Sequence, residues 1–189
     1  MNISEEVLEI FENSKNTIND SKQITDKILL AVDEIVNCIK NKNKIIIFGN
    51  GGSAADAQHM AAEFIGRYLL ERQSFPAIAL TTDSSILTAI GNDYDFDEIF
   101  ARQCEALVNK GDVVFAISTS GKSKNVIKGI KKSKENGAKI ISITGTNGND
   151  MEAISDIILK IPSENTPRIQ EGHKVVIHII CELVEKNCK

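Results

Sequence analysis

Residues 44–54, KIIIFGNGGSA, decide the fold of this chain. The apolar run from Ile45 to Phe48 is unbroken, and it ends in a loop with three glycines that leads directly into a helical pattern. Consecutive apolar residues are typical of a strand with both faces buried, as in a parallel sheet covered by helices. The stretch therefore predicts a strand, a glycine-rich turn and a helix, in that order.

Four further apolar runs follow along the chain, and amphipathic segments separate them. The predicted strands are residues 44–48, 77–80, 113–117, 139–144 and 156–161. The predicted helices are about 54–70, 84–108, 124–136, a short one near 150, and 169 to about 187. This alternation predicts an α/β fold, a three-layer α-β-α sandwich around a five-stranded parallel sheet. Ligands of such a sheet bind beyond the carboxyl ends of its strands.

Two more helices are predicted before the sheet, because apolar residues recur there at spacings of three and four. The two stripes consist of Ile3, Val7, Leu8, Ile10 and Phe11, and of Ile24, Ile28, Leu29, Val32, Ile35 and Val36. No linker-like segment marks a boundary. We therefore predict one domain over residues 1–189, with the two leading helices in 1–43 and the α/β core in 44–189.

The overall charge excludes some partners. The 189 residues include 22 Lys and Arg against 26 Asp and Glu, for a formal charge of −4, and the basic residues are scattered. Neither a nucleic-acid groove nor an anionic membrane surface is expected, because both need a basic patch. An anionic ligand must therefore be bound by local groups.

The cysteines and the amino terminus indicate the compartment. The four cysteines form no C-x-x-C pair, so neither a disulfide framework nor a zinc ribbon is predicted. The first residues, MNISEEVLEI, are acidic and amphipathic, and no apolar run approaches the roughly 20 residues that cross a bilayer. We expect a cytoplasmic protein without a membrane partner.

The loop after the first strand, Gly49 to Ala54, is the first candidate anion site. Its glycines permit close backbone approach to a ligand, and the following helix start offers free N–H groups. The string also satisfies the G-x-G-x-x-A dinucleotide pattern, but the acidic residue that closes the second strand, Asp83, lies beyond the expected spacing of about 20 residues. A dinucleotide site and a purely structural turn stay open as alternatives.

The loop after the third strand, Ser118 to Ser123, is the second candidate. It resembles the end of a Walker A loop, but Ala116 stands where the leading glycine belongs, which argues against a nucleotide P-loop. Hydroxyls and backbone donors at a helix start suit a phosphate monoester, although a Ser/Thr-rich helix cap explains the same residues. Two such loops at one sheet edge favour a sugar phosphate.

Three polar residues share one face of the helix after the first loop, at spacings of three and four: Asp56, His59 and Glu63. An imidazole and a carboxylate at i and i+4 can bind one zinc ion, although a hydrogen bond on a solvent-exposed helix is the simpler interpretation. Near the carboxyl terminus, His178 is flanked by apolar residues, which fits either a core or a functional histidine. We take His173 to be an ordinary polar helix residue.

Four strings of this chain resemble the phosphoheptose isomerase (sedoheptulose 7-phosphate isomerase) family of SIS (sugar isomerase) domain proteins. They are FGNGGSAADAQHMAAEFIGRY (48–68), AIGNDYDFDEIFARQ (89–103), ISTSGKSKNVIKGI (117–130) and RIQEGHKVVIHIICELVE (168–185). The resemblance covers nearly the whole chain. It implies an aldose-ketose isomerase that converts D-sedoheptulose 7-phosphate to D-glycero-D-manno-heptose 7-phosphate through an enediol, in heptose biosynthesis for lipopolysaccharide or capsule precursors.

The resemblance also implies which residues act. The substrate-binding positions fall on Asn50, Gly51, Gly52, Ser53, Glu63, Asn92, Asp93, Ser118, Thr119, Ser120, Ser123 and Gln170. The ligands of one zinc ion per subunit fall on His59, Glu63, Gln170 and His178, and the acid/base pair on Glu63 and His178. Pro167 stands where some members have an acidic residue, so any polar role at that position is in doubt.

Members of this family are homotetramers with active sites at subunit interfaces, and we expect the helices of residues 1–43 to serve in oligomerisation. Gln170 and His178 are eight residues apart, about 12 Å along a helix, so a site shared between subunits would ease their joint binding of one ion. The alternative is a non-catalytic SIS-domain tetramer that binds a replication initiator protein. The retained Gly51-Gly52 pair and His178 favour the isomerase.

Overall fold

The computed structural model describes residues 2–188, so the end residues of the predicted domain, 1 and 189, lie outside it. The helices are α1 (Ile3–Asp20), α2 (Thr25–Lys40), α3 (Gly52–Ile65), α4 (Ser84–Asp93), α5 (Ile99–Leu107), α6 (Lys124–Glu135), α7 (Asn149–Glu152) and α8 (Thr166–Asn187). The strands are β1 (Ile45–Gly49), β2 (Ala77–Ala79), β3 (Val113–Ile117), β4 (Lys139–Thr144) and β5 (Ile157–Lys160). The predicted five-stranded parallel sheet is confirmed.

The strand order β2-β1-β3-β4-β5 places a topological switch between β1 and β3. From β1 the chain moves outward to β2, then returns to pair β3 on the other side of β1. At such a switch the two following loops separate and leave a crevice beyond the carboxyl ends of the strands. Here those loops are the two that the sequence marked as anion sites.

Two apolar cores cover the two faces of the sheet. Side chains of α2, α3 and α8 pack on one face, and those of α5 and α6 on the other. Strands β1 and β3 are buried at every residue because they lie inside the sheet. The edge strand β2 departs from the prediction of full burial, since the side chain of Ile78 is 37% exposed.

Two predicted helices end earlier than the sequence pattern indicates. The helix predicted over 54–70 ends at Ile65, because Gly66 leaves the helical region at φ −76° and ψ −112°. The helix predicted over 84–108 is broken after Asp93, where the side chain of Asp95 accepts a hydrogen bond from the N–H of Asp97 and begins a separate 3₁₀ turn. Short polar side chains commonly compete with a helix in this way.

Helix α1 buries none of its residues against the rest of the chain. Its apolar stripe is open, with Ile3, Leu8, Ile10 and Phe11 all more than half exposed. Helix α2, in contrast, packs six residues into the core: Ile28, Ala31, Val32, Ile35, Val36 and Cys38. Helix α2 leaves Leu29 and Leu30 about half exposed, whereas the whole apolar stripe of α1 is uncovered.

Candidate active site

A pair of amides spans the crevice at the topological switch. Asn50 follows β1, Asn125 lies in the first turn of α6, and each amide donates to the other, at 2.8 and 2.9 Å. Asn125 is buried and its side-chain oxygen also accepts from the N–H of Val126. The two candidate loops are thus joined directly. Asn125 was not among the predicted site residues, since a lone Asn at a helix start is most often a cap.

The loop from Gly49 to Ala54, the glycine loop, leads directly into α3. Gly51 has φ +56°, a conformation that residues with a Cβ seldom adopt, and it immediately precedes the helix. Ser53 is buried, and its N–H bonds to the carbonyl of Asn50. Gly52 faces Gln170 of α8 so closely that an added Cβ would lie 2.5 Å from the amide nitrogen.

The loop from Ser118 to Ser123, the hydroxyl loop, folds around the side chain of Ser118. Its Oγ accepts from the N–H of Gly121 at 3.2 Å and lies 3.3 Å from Oγ of Ser123. The side chain of Ser123 makes no capping hydrogen bond to α6, although this residue stands at the N-cap position. The helix start therefore keeps N–H groups available for an anion, which weakens the interpretation of this loop as a Ser/Thr-rich cap.

Three of the candidate acid/base and metal residues cluster where α3 meets α8. His59 Nε2 and Glu63 Oε1 are 2.9 Å apart on α3. Between ring centroids, His178 lies 5.1 Å from His59 and 5.8 Å from Tyr68. His59 and Glu63 are thus not an isolated pair on a solvated helix, because His178 of α8 lies beside them.

An ion pair that the sequence reasoning missed borders this cluster. Lys174 of α8 pairs with the buried carboxylate of Asp56, and its Nζ lies 3.5 Å from Nδ1 of His59. Lys174 is four residues from both Gln170 and His178, so helical spacing alone could have found it. Burial first, then the charges of His59 and Lys174, lower the pKa of His178, which keeps its imidazole neutral at neutral pH.

The prediction for His173 is wrong. This residue is not an ordinary polar helix residue but is fully buried, and neither ring nitrogen has a hydrogen-bond partner within residues 2–188. Burial lowers the pKa of His173 to about 4, although the neighbouring Thr144 backbone and Asp56 act in the opposite direction. His178 is the more exposed of the two histidines, although its neighbours in the sequence are apolar.

Comparisons with known proteins identify the family of this chain. The sequence model of the SIS domain matches residues 9–145. A phosphoheptose isomerase of Geobacter sulfurreducens is 52% identical over 165 residues, which cover 87% of both chains, and one of Helicobacter pylori is 51% identical over 88% of this chain and 86% of its own. The chain belongs to the phosphoheptose isomerase family. The predicted resemblance is confirmed, and so is the prediction of an enzyme of this class.

The solved structure of the Neisseria gonorrhoeae phosphoheptose isomerase superposes on this chain with a TM-score of 0.93, at 40% identity, over 98% of this chain and 100% of the other. The SIS fold of this family member therefore extends over α1 and α8 as well as the sheet. None of the helices within residues 2–188 combines the length and apolar character needed to span a bilayer.

The donor types predicted to bind zinc in this phosphoheptose isomerase family member are two imidazoles, a carboxylate and an amide oxygen, which zinc accepts. Among residues 2–188, however, no three His, Cys, Asp or Glu side chains converge closely enough to form a metal-binding group. Gln170, the fourth predicted ligand, lies against Gly52. One chain offers suitable ligands without closing a site around an ion.

Asn92 and Asp93 do not join the cluster. They lie at the end of α4, both exposed, and the amide of Asn92 donates to the carboxylate of Asp93 at 2.8 Å. Within the described chain they make no hydrogen bond to the other predicted site residues. Their predicted role in substrate binding stays a prediction.

Proposed function

We propose that this protein is an aldose-ketose isomerase that converts D-sedoheptulose 7-phosphate to D-glycero-D-manno-heptose 7-phosphate, in the cytoplasm, for heptose biosynthesis. The observation that carries the proposal is the meeting of His59 and Glu63 of α3 with His178 of α8. The names of the relatives supply the substrate class.

The phosphate of the substrate is bound by the hydroxyl loop, in this proposal. Ser118, Thr119, Ser120 and Ser123 offer hydroxyls, and the uncapped start of α6 offers backbone donors. Donors of this kind suit a phosphate monoester without a broad basic surface, in keeping with the acidic balance of the chain. Asn50, Gly51, Gly52 and Ser53 line the sugar from the other side of the crevice.

The acid/base pair moves two protons. Glu63 takes a proton from C1 of the open-chain ketose and returns it to C2, through an enediol, while His178 carries a proton from O1 to O2. A neutral imidazole can take up the proton from O1 and release it to O2, which the lowered pKa of His178 supports. The i, i+4 contact with His59 holds the Glu63 carboxylate in place.

One zinc ion per subunit is bound by His59, Glu63, Gln170 and His178, in this proposal. When bound, zinc would polarise and orient the sugar oxygens as a Lewis acid. The donor types and the proximity of three of the four residues support this assignment.

The assembly is a homotetramer with active sites at subunit interfaces, in this proposal. The open apolar face of α1 supports it, because four large side chains more than half exposed on one helix indicate a surface that another chain covers. The exposed Asn92 and Asp93 would then reach the site of a neighbouring subunit. The helices of residues 1–43 would serve in this oligomerisation, mainly through α1.

The test measures catalytic turnover and the oligomeric mass of the same preparation. Purified protein, sized by light scattering and supplied with zinc, is incubated with sedoheptulose 7-phosphate, and the aldose heptose phosphate is followed by NMR. We expect turnover by a tetramer. A tetramer that binds zinc but produces no aldose would overturn the proposal and favour the alternative of a non-catalytic tetramer that binds a replication initiator.

Gly52→Ala tests Gln170 as a zinc ligand. The new Cβ would lie 2.5 Å from the Gln170 amide nitrogen, and a flexible side chain yields to such a contact, so Gln170 should move while α3 stays folded. We expect about ten-fold weaker zinc binding in a chelator competition titration. Gly91→Ala, where an added Cβ meets no atom of the described chain within 4 Å, is the matched control and should keep the affinity. Equal affinity in both variants would exclude Gln170 as a ligand.

A further inference from the structure

The segment between α3 and β2, residues 66–76, has no regular secondary structure and folds around the side chain of Glu185. Glu185 lies on α8 and is 2% exposed. Its carboxylate accepts hydrogen bonds from three successive backbone N–H groups, those of Tyr68, Leu69 and Leu70, at 2.7 to 2.9 Å. The turn of the segment is thus built on one buried anion.

Arg72 neutralises the Glu185 carboxylate and caps the carboxyl end of α3. Its Nε donates to Glu185 at 3.0 Å, and the guanidinium stacks on the ring of Phe75 at 3.8 Å. The remaining N–H groups donate to the carbonyls of Glu63, Phe64, Gly66 and Gln73. A cation at the carboxyl end of a helix binds the carbonyls that lack partners there.

These contacts reach both members of the proposed acid/base pair. Arg72 Nη2 donates to the backbone carbonyl of Glu63 at 2.8 Å, so it fixes the main chain that carries this carboxylate. Glu185 lies two turns beyond His178 on α8 and holds the N–H of Tyr68, whose ring is 5.8 Å from that of His178.

We propose that the buried Glu185–Arg72 ion pair is a positioning device that sets Glu63 of α3 at a fixed distance from His178 of α8. The inference rests on the proposed function, because its effect on turnover requires these two residues to act together. Neither Glu185 nor Arg72 touches the substrate in this account.

The charge of Glu185 is essential to the arrangement. Burial alone would raise its pKa, but the three backbone donors and Arg72 outweigh that effect and lower it, so the carboxylate stays ionised at neutral pH. A Gln at this position has nearly the same size, but it turns an NH₂ group toward N–H donors and leaves Arg72 without its counter-ion. Glu185→Gln therefore loosens the segment while changing the shape of the core very little.

The test compares this ion pair with a second buried one. Asp112 is equally buried and accepts from Lys44 Nζ and from the N–H groups of Lys44 and Asn109, just before β1 and β3. Asp112→Asn should cost stability as Glu185→Gln does. At a temperature where all proteins are folded, we expect Glu185→Gln to lower kcat about 10- to 100-fold with KM within three-fold, and Asp112→Asn to keep both.

A second measurement needs no activity. The chain has three histidines, so their ring signals are separable by NMR, and the ring current of Tyr68 acts on His178. We expect the His178 signals to shift in Glu185→Gln and to stay in Asp112→Asn. Arg72→Lys keeps a cation but not the fork that reaches four carbonyls, and it should show both effects more weakly; it replaces Glu185→Gln if that variant does not fold.

The two proposals fail differently. If the wild type turns over no sedoheptulose 7-phosphate, the proposed function falls, and the His178 signals still decide whether the ion pair positions the helices. If folded Glu185→Gln keeps kcat within two-fold and the His178 signals unmoved, the positioning role is overturned. Equal loss of kcat in Asp112→Asn would also overturn it, since the effect would then be general destabilisation.

Discussion

Glu63→Gln should lower kcat about 1,000-fold, because an amide cannot take the proton that leaves C1 and a positioned base contributes about 10² to 10⁴ in rate. The amide oxygen of Gln can still accept from Nε2 of His59, where the carboxylate oxygen lies at 2.9 Å in the native chain. The side chain is partly exposed, so the fold should be unaffected. KM for sedoheptulose 7-phosphate should change much less than kcat.

The measurement must separate lost chemistry from lost metal, since Glu63 has both proposed roles. Steady-state rates are therefore compared at equal zinc content per subunit, determined for each preparation. Glu105→Gln is the matched control, because it makes the same change on α5, where, within residues 2–188, the carboxylate bonds only to Arg102 at the surface. Full activity of Glu63→Gln with zinc bound would remove Glu63 as the base and leave the family and the fold untouched.

The unfolding free energy should fall by about 3 kcal/mol between pH 7 and pH 4 because of His173 alone. Its pKa is 6.5 in the unfolded chain and about 4 in the fold, a difference of about 2.5 units at 1.36 kcal/mol each. The unfolded chain therefore binds the extra proton first. The contribution is fully present above about pH 6.5 and is lost as the pH falls toward 4.

Urea unfolding of wild type and His173→Leu, at one protein concentration in metal-free buffer, checks this value. The Leu variant lacks the titrating ring, so its stability should fall less on acidification, and the difference between the two proteins should be constant above pH 7. Parallel curves from pH 7 to pH 4 would mean that His173 takes up its proton without unfolding, for instance through a water that reaches the ring.

The strands were predictable because the chemistry that makes them is local. Each predicted strand lies within a residue or so of the observed one. For β1 and β3 the reason is that a run of mostly β-branched residues buried on both faces has few other structures to adopt. The break after Asp93 was missed because the apolar periodicity continues through it, while the competing hydrogen bond of Asp95 depends on a single side chain.

The two histidines of α8 show how a pattern can mislead. His178 has apolar neighbours in the sequence, yet burial on a helix follows the 3.6-residue period and not adjacency. His173 lies four residues after Ile169 and four before Ile177, both buried, so the period places it in the core. The helical spacing from Ile169 and Ile177 thus indicates that His173 is buried, whereas the residues adjacent in sequence do not.

The contacts of Glu185 could not have been predicted from the sequence. The carboxylate meets backbone groups more than 110 positions earlier, and a Glu near the end of an amphipathic helix is typical of a solvated face. Only the packing of α8 beside the end of α3 brings the charge to its donors. The candidate residues of the site could be predicted individually from the sequence. The Glu185–Arg72 ion pair, which we propose fixes the distance between Glu63 and His178, could not.

Strand β2 is three residues long and lies at the edge of the sheet. Pro76 directly precedes it and turns its carbonyl to Ile45 of β1, and a strand of three residues leaves the outer edge very few free donors for an approaching strand. Long, flat edges are templates for pairing between sheets and hence for aggregation. The brevity of β2 thus protects a strongly β-branched sheet from growing into a fibril by edge-to-edge addition.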